Sequence, residues 1–161
     1  EHYMKMTRHY FALVLFVCTL ASCTKESMET ANIVEAENIP EIEQELLEVV
    51  NQHRLSLGQN SLEFSSVAYL LANEHTDYMM TVGSLNHDNF SKRASTISTE
   101  VDAEFVAENV AKDYLNASEA FSGWLTSSSH KKTMEGEFTH TAVSVKRNEE
   151  GNLFYTQIFF R

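Results

Sequence analysis

The eight residues Leu153 to Phe160 restrict the fold more than any other stretch of this chain. Read with the period of a strand, they put Leu153, Tyr155 and Phe159 on one face and Phe154, Ile158 and Phe160 on the other. A sheet with one face in water would leave half of these side chains hydrated, at a cost of about 25 cal/mol per Å² of apolar surface. Both faces must be covered. A second strand candidate, Phe138 to Lys146, precedes it, and Asn148-Glu149-Glu150-Gly151-Asn152 joins the two as a hairpin. Helical patterns supply the covering layers. The expected fold is therefore α+β, a three-layer α/β/α sandwich with a small antiparallel sheet between helices.

The first helical pattern starts at Glu41. Ile42, Leu46, Val49, Val50 and Leu57 form one stripe, Glu41, Glu45 and Glu48 a solvated one, and Gly58 is the stop. Residues 59–63 read as a loop, after which Ser65 or Ser66 caps a second helix that ends at Val82 before Gly83. Leu71, His75, Tyr78, Met79 and Val82 share its buried face. Residues 91–102 are polar and read as irregular, with at most one helical turn. Phe105 to Ala111 is strand-like, with Val106, Glu108 and Val110 alternating on one face. Asn116 and Glu119 make a capping pair for a third helix, whose apolar stripe is Ala117, Ala120, Phe121, Trp124 and Leu125. Trp124 is its core anchor. The run Ser127-Ser128-Ser129 breaks that stripe and favours a cap, which places His130 in the first turn of the next element.

Several of these positions carry chemistry. His75 on a buried face is either a hydrogen-bonded core histidine or a residue supporting a site from behind. His87 lies in the polar loop Ser84 to Phe90, where functional residues tend to collect. Glu108 between two apolar residues is either a solvated acid at a strand end or a buried one needing a hydrogen bond, a histidine or a metal. The net charge of −11 excludes binding through a phosphate backbone, so no nucleic-acid partner is expected. No oligomer interface is legible, and a monomer is expected.

The first residues read as an export signal. Met4 or Met6 is the expected start, Lys5 and Arg8 give a basic segment, and Phe11 to Leu20 are apolar but too short to span a bilayer. Leu20-Ala21-Ser22-Cys23 resembles the lipobox of bacterial lipoproteins, with cleavage before Cys23 and acylation of that residue; the alternative is a plain secretory signal with Cys23 incidental. Acylation would tether the protein to a membrane, stably so with two or more chains. Residues 1–22 are then a signal peptide, 23–40 the anchored Cys and an acidic flexible tether, and 41–161 the folded domain. Removing Cys18 with the signal leaves Cys23 as the sole cysteine, so the domain forms no internal disulfide.

A set of motifs runs in order through the domain: Asn51-Gln52-His53-Arg54, His75 four residues before Met79, Asn86-His87 with Phe90, Ala107-Glu108-Asn109-Val110-Ala111, Gly123-Trp124 leading to Ser129-His130, Phe138-Thr139, and Tyr155-Thr156-Gln157-Ile158-Phe159. In this they resemble bacterial members of the CAP superfamily, the SCP-like group of cysteine-rich secretory proteins, venom antigen 5 and plant pathogenesis-related proteins. The resemblance covers Glu41 to Phe160. It implies an α/β/α sandwich with a central cleft, and places His87 and His130 on its two histidines and Glu108 on its acid. Some members bind zinc or another divalent cation there, which makes His87 and His130 the candidate ligands. Ser127 stands where many eukaryotic members have a fourth cleft residue, a Glu. Ala107 and Ala142 replace residues that are usually Gly.

Two neutral imidazoles about 2.0–2.1 Å from a Zn²⁺ ion would leave coordination positions for water. The spacing of His87 and His130 in sequence carries no metal signature of its own. Two function classes follow. One is a non-enzymatic, envelope-tethered module that holds a cation and a lipid or peptide ligand. The other is a hydrolase, with Glu108 as base to a metal-bound water or a hydroxyl of Ser127 to Ser129 activated by His130. Binding is favoured, because neither a Gly-x-Ser-x-Gly elbow nor a His-Glu-x-x-His helix is present.

Overall fold

The computed structural model describes residue 33 and residues 35–161. The expected signal peptide, Cys23 and most of the expected tether lie outside the described residues. The elements in chain order are α1 (Pro40–Ser56), β1 (Glu63–Phe64), α2 (Ser66–Val82), α3 (Phe90–Val101), β2 (Val106–Lys112), α4 (Ala117–Thr126), α5 (Ser128–Met134), β3 (His140–Arg147) and β4 (Leu153–Phe160).

All eight residues of β4 are buried, and it sits inside a sheet of order β1-β3-β4-β2. The hairpin is present: β3 and β4 are antiparallel, with Ala142 opposite Ile158 and Val145 opposite Tyr155. On one face Ala142, Ile158 and Phe160 pack with Ala68, Leu71 and Ala72 of α2 and Ile97 of α3. On the other, Val143, Val145, Tyr155 and Phe159 pack with Leu46 and Val50 of α1, Ala120 and Trp124 of α4, and Met134 of α5. The two polar positions of β4 bond within the sheet and to α2, although Gln157 Oε1 has no partner among the described residues. Thr156 pairs with the Thr76 hydroxyl at 2.9 Å, and Gln157 Nε2 donates to Thr141 Oγ1 at 3.1 Å.

The sheet is mixed, whereas the sequence suggests an antiparallel one. Two residues, Glu63 and Phe64, pair in parallel with His140 and Thr141. Both are exposed, so β1 shows neither alternation nor length, the two signals by which a strand is read. The larger correction is α3. Residues 91–102, expected to be irregular, lie almost wholly within a twelve-residue helix. Only Arg93 and Ile97 are buried on it, and its N-cap, Asn89, sits at φ 59° without a capping side chain. A helix with one apolar inward residue and no cap leaves almost no periodic signal.

Helix ends differ in detail. Ser65 caps α2 by accepting from Ala68 N, and Gly83 ends it at φ 68°, as expected. Leu57 and Val82, placed on buried stripes, are 51% and 42% exposed, because each sits where its helix terminates and the stripe has no further sheet to cover.

The end of the expected tether is not free. Ile39 N donates to Val145 O, Ala36 N donates to Asp77 Oδ1 at 3.1 Å, and Asn38 reaches both Glu43 and Asn73. Asp77 also holds the buried Lys146 at 2.6 Å. These buried polar groups need partners, and residues 36–39 supply them.

Candidate functional site

β2 is an edge strand, and the expected cleft residues gather around it. The alternation expected for Val106, Glu108 and Val110 points Glu108 inward, opposite Ile158 and toward α2 and α3. Its side chain is 1% exposed and fully partnered. Arg93 grips it with two bonds, Nε to Oε2 at 2.9 Å and Nη2 to Oε1 at 2.8 Å. His87 Nδ1 lies 2.8 Å from Oε1, and His75 Nε2 lies 3.6 Å from the same oxygen. Burial alone would raise the Glu108 pKa, but the hydrogen bonds from His87 and Arg93, with the charge of Arg93, hold it below the ordinary carboxylate value. Glu108 is a carboxylate at neutral pH.

The loop after α2 positions His87. Asn86 Oδ1 accepts from Asp88 N, Tyr78 donates to Asp88, and the Asn86 carbonyl meets His75 Nε2 at 2.9 Å. An ionised Glu108 only accepts, so the hydrogen it shares with His87 sits on Nδ1, and in the neutral imidazole the lone pair is then on Nε2. With half of its side chain exposed, His87 can present that lone pair to a ligand.

His75 is fully buried against Tyr78. Its Nε2–H donates to the Asn86 carbonyl, and Nδ1 has no partner among the described residues. Burial lowers its pKa against the opposing pull of Glu108, so the ring is neutral. It supports the His87 loop and Glu108 from behind.

His130 comes from the other layer, in the first turn of α5. Its ring packs near Trp124, and its backbone carbonyl accepts from Asn109 Nδ2 at 3.1 Å. Trp124 Nε1 in turn donates to Val110 O, so α4 and α5 are both fixed to the edge strand. Burial lowers the His130 pKa, and the nearby His87 ring acts in the same direction. Ser127 occupies the N-cap position of α5, but its hydroxyl makes no cap bond and instead meets Ser129 Oγ at 3.2 Å. The serine run is thus less of a cap than its composition suggests. Among the described residues, none of its hydroxyls bonds the His130 ring.

Among the described residues no group of three or more His, Cys, Asp or Glu forms a metal cluster. His87 and His130 each have an imidazole nitrogen not engaged by the described residues. Glu108 is held by Arg93 and turned away from such a role. Two cavities lined by neither ring flank α2. One of about 500 Å³ is bordered by Met80, Lys112, Arg147 and Phe154. Another, of about 490 Å³, runs between α2 and α3 past Leu70, Leu71, His75, Tyr78 and Arg93. Arg93 was missed in the sequence because it belongs to α3. Its position four residues before Ile97 is the one trace it leaves.

The family model of the cysteine-rich secretory protein family, CAP, matches residues 47–159, which hold His87, Glu108 and His130. The chain belongs to this family. An uncharacterized membrane protein of Bacillus subtilis, YlbC, is 28% identical to this CAP domain over 125 residues. That match covers 74% of this chain and 34% of the relative, so the chain spans about a third of that protein's length. Among solved structures, an outer surface protein of Borrelia burgdorferi superposes with TM-score 0.70 at 16% identity, over 78% of this chain and 98% of its own. An extracellular protein of Bacillus anthracis containing an SCP domain gives TM-score 0.66 at 25% identity, over 76% of this chain and 41% of its own. A cysteine-rich secretory protein of Staphylococcus aureus gives 0.65 at 19%, over 75% and 38%. The CAP domain is thus of a kind found in extracellular bacterial proteins, and the expected sandwich is the fold these structures share.

The neutral histidines predict how CAP-domain stability follows pH. His75 and His130 have folded pKa values below 6.5, so the unfolded chain binds more protons as pH falls through that value. Stability is therefore full above about 7 and declines from pH 6.5 downward. Glu108, with its pKa held below 4.5, contributes above that value and is lost at still lower pH. Urea midpoints measured from pH 8 to 5 should fall, and a midpoint that is flat or rises toward pH 5 would contradict these assignments.

Proposed function

We propose that this chain is an exported, membrane-anchored binding module, not an enzyme. Its cleft holds a divalent cation, zinc or one like it, on His87 and His130, and a lipid or peptide ligand lies beside it. The state of Glu108 carries the choice. A general base for a metal-bound water works best with a pKa near the operating pH. Glu108 has its pKa depressed, and its oxygens are already taken by Arg93 and His87. The serine alternative lacks the hydroxyl–imidazole bond that activates such nucleophiles.

The ligands fit a binding role. His87 Nε2 and the neutral His130 are the donor type that zinc accepts, and a bound ion there would act as a Lewis acid with open positions for an anionic or carbonyl group. The groove between α2 and α3 shares His75 and Arg93 with the cleft and carries the 61% exposed Leu70, which suits an acyl chain or an apolar peptide side chain. Export follows the expected signal, with acylated Cys23 as the anchor to the bacterial cell envelope, on its periplasmic or cell-surface side. It also agrees with the extracellular and outer-surface proteins that share this fold.

Isothermal titration of Zn²⁺ near pH 7.5 into residues 24–161, which contain every described residue, tests the metal. The expected result is one-to-one binding that a His87→Ala/His130→Ala double variant loses. Equal behaviour of the two proteins would remove the metal from the proposal and leave lipid and peptide ligands to be tried on a metal-free cleft.

A further inference from the structure

We propose that Arg93 is the positioning residue of this cleft: its two-point grip holds the Glu108 carboxylate back from any bound ion and fixes His87 in the tautomer with a bare Nε2. The part concerning the ion rests on the metal reading above; the part concerning the tautomer does not.

The guanidinium ties three pieces of chain together. Nε and Nη2 engage the two oxygens of Glu108 at 2.9 and 2.8 Å, and Nη1 donates to the carbonyl of Asp88, the residue after His87, at 2.6 Å. Helix α3, strand β2 and the His87 loop thus meet on one rigid planar group. The fork matches a carboxylate in a way a lysine ammonium cannot, since lysine is a single mobile point charge.

The consequences for Glu108 are restrictive. Oε1 accepts from Arg93 and His87 and faces His75, while Oε2 accepts from Arg93 inside a side chain that is 1% exposed. An ion that took Glu108 as a ligand would displace the guanidinium and leave its charge buried and unpaired, a costly state. Glu108 therefore acts on the cleft only through the imidazole it holds. Because it is an ionised acceptor fixed in place, it keeps the proton of His87 on Nδ1 and orients the ring, as carboxylates do behind histidine ligands. The donor set presented to an ion is then two neutral imidazoles and no carboxylate.

The test follows the His87 ring directly. In ¹⁵N-labelled protein of residues 24–161, two-bond nitrogen–proton correlations distinguish Nδ1–H from Nε2–H, and they are recorded for wild type, Arg93→Gln and Arg93→Lys, each also titrated with Zn²⁺. The expected wild-type ring is the Nδ1–H tautomer. Arg93→Gln should lose it to an averaged or Nε2–H signal, Arg93→Lys should fail to restore it, and zinc should bind about 10- to 100-fold more weakly to both. The His75 ring signals report that the core is intact. A wild-type His87 found as Nε2–H overturns the proposal without any variant, which covers the case of Arg93→Gln failing to fold. So does a tautomer unchanged in either variant. If the tautomer follows Arg93 but wild type binds no zinc, the positioning role stands and the metal reading fails. If zinc binds all three alike with the ring unmoved, the reverse holds.

Discussion

Glu108→Ala is expected to destabilise the domain by about 3–5 kcal/mol, the cost of removing one partner of a buried ion pair. The loss is large because the remaining partner cannot escape. Arg93 is 7% exposed on the inward face of α3, and its only charged acceptor among the described residues is Glu108. Three donors, Arg93 Nε, Arg93 Nη2 and His87 Nδ1, would lose their acceptor at once. A combined Glu108→Leu/Arg93→Met variant removes both charges and should recover most of the stability, since apolar replacement of a buried pair is often neutral. The measurement is urea unfolding at pH 7.5 of Glu108→Ala, of Glu108→Leu and Arg93→Met singly, and of the double variant. Additive losses in the double variant, or a Glu108→Ala loss under about 1 kcal/mol, would mean that the pair is hydrated and not the clamp described here.

This clamp marks where the sequence stopped being readable. That Glu108 points inward was legible from the alternation of Val106, Glu108 and Val110, and so was its need for a partner. The identity of that partner was not. Arg93 sits on a helix whose inward face holds one apolar residue, Ile97, and a charged side chain turned inward counts against burial in any periodicity argument. By contrast β4, α2 and α4 were plain. β4 has apolar residues on both faces, α2 has a serine cap and a glycine stop, and α4 has Asn116 Oδ1 accepting from Glu119 N while Glu119 reaches back to Leu115 N. Each of these signals is local, carried by residues within one or two turns of chain. The features that escaped are long-range. Residues 36–39 bond to Asp77, Asn73 and Val145, and β1 exists only because Glu63 and Phe64 lie against His140 and Thr141.

His87 and His130 combine both cases. Their residue types and loop positions were visible, and the family resemblance paired them. What pairs them physically is the packing of two layers on the one edge strand. α2 and α3 bring His87 to Glu108 from one face, and Trp124 and Asn109 fix α5 from the other. No local pattern encodes that meeting.

The α5 side depends on a second buried arginine, and Arg54→Leu is expected to cost at least about 3 kcal/mol. Arg54 is completely buried on α1 and bonded to no carboxylate among the described residues. Burial lowers its pKa from the ordinary arginine value, yet a guanidinium remains charged at neutral pH. Its compensation is four carbonyls: Asn60 O at 3.0 Å, Met134 O at 2.7 Å, Gly136 O at 2.8 Å and Phe138 O at 3.2 Å. Met134 ends α5, so the charge also sits at the negative end of that short helix. Hydrogen bonds to charged groups contribute about 1.5–3 kcal/mol each, and they do not add fully because one side chain makes all four. Leucine would leave Met134 O without this donor, while Gly136 O keeps Phe138 N and Phe138 O keeps Asn60 Nδ2. The damage should be local to the segment from α5 to β3. Amide hydrogen exchange should therefore speed up from Lys131 to Phe138 while α2 and α3 keep their protection, with the His87 tautomer unchanged. If Arg54→Leu unfolds within about 1 kcal/mol of wild type, water has replaced the guanidinium at those carbonyls, and His130 is held by Trp124 and Asn109 alone.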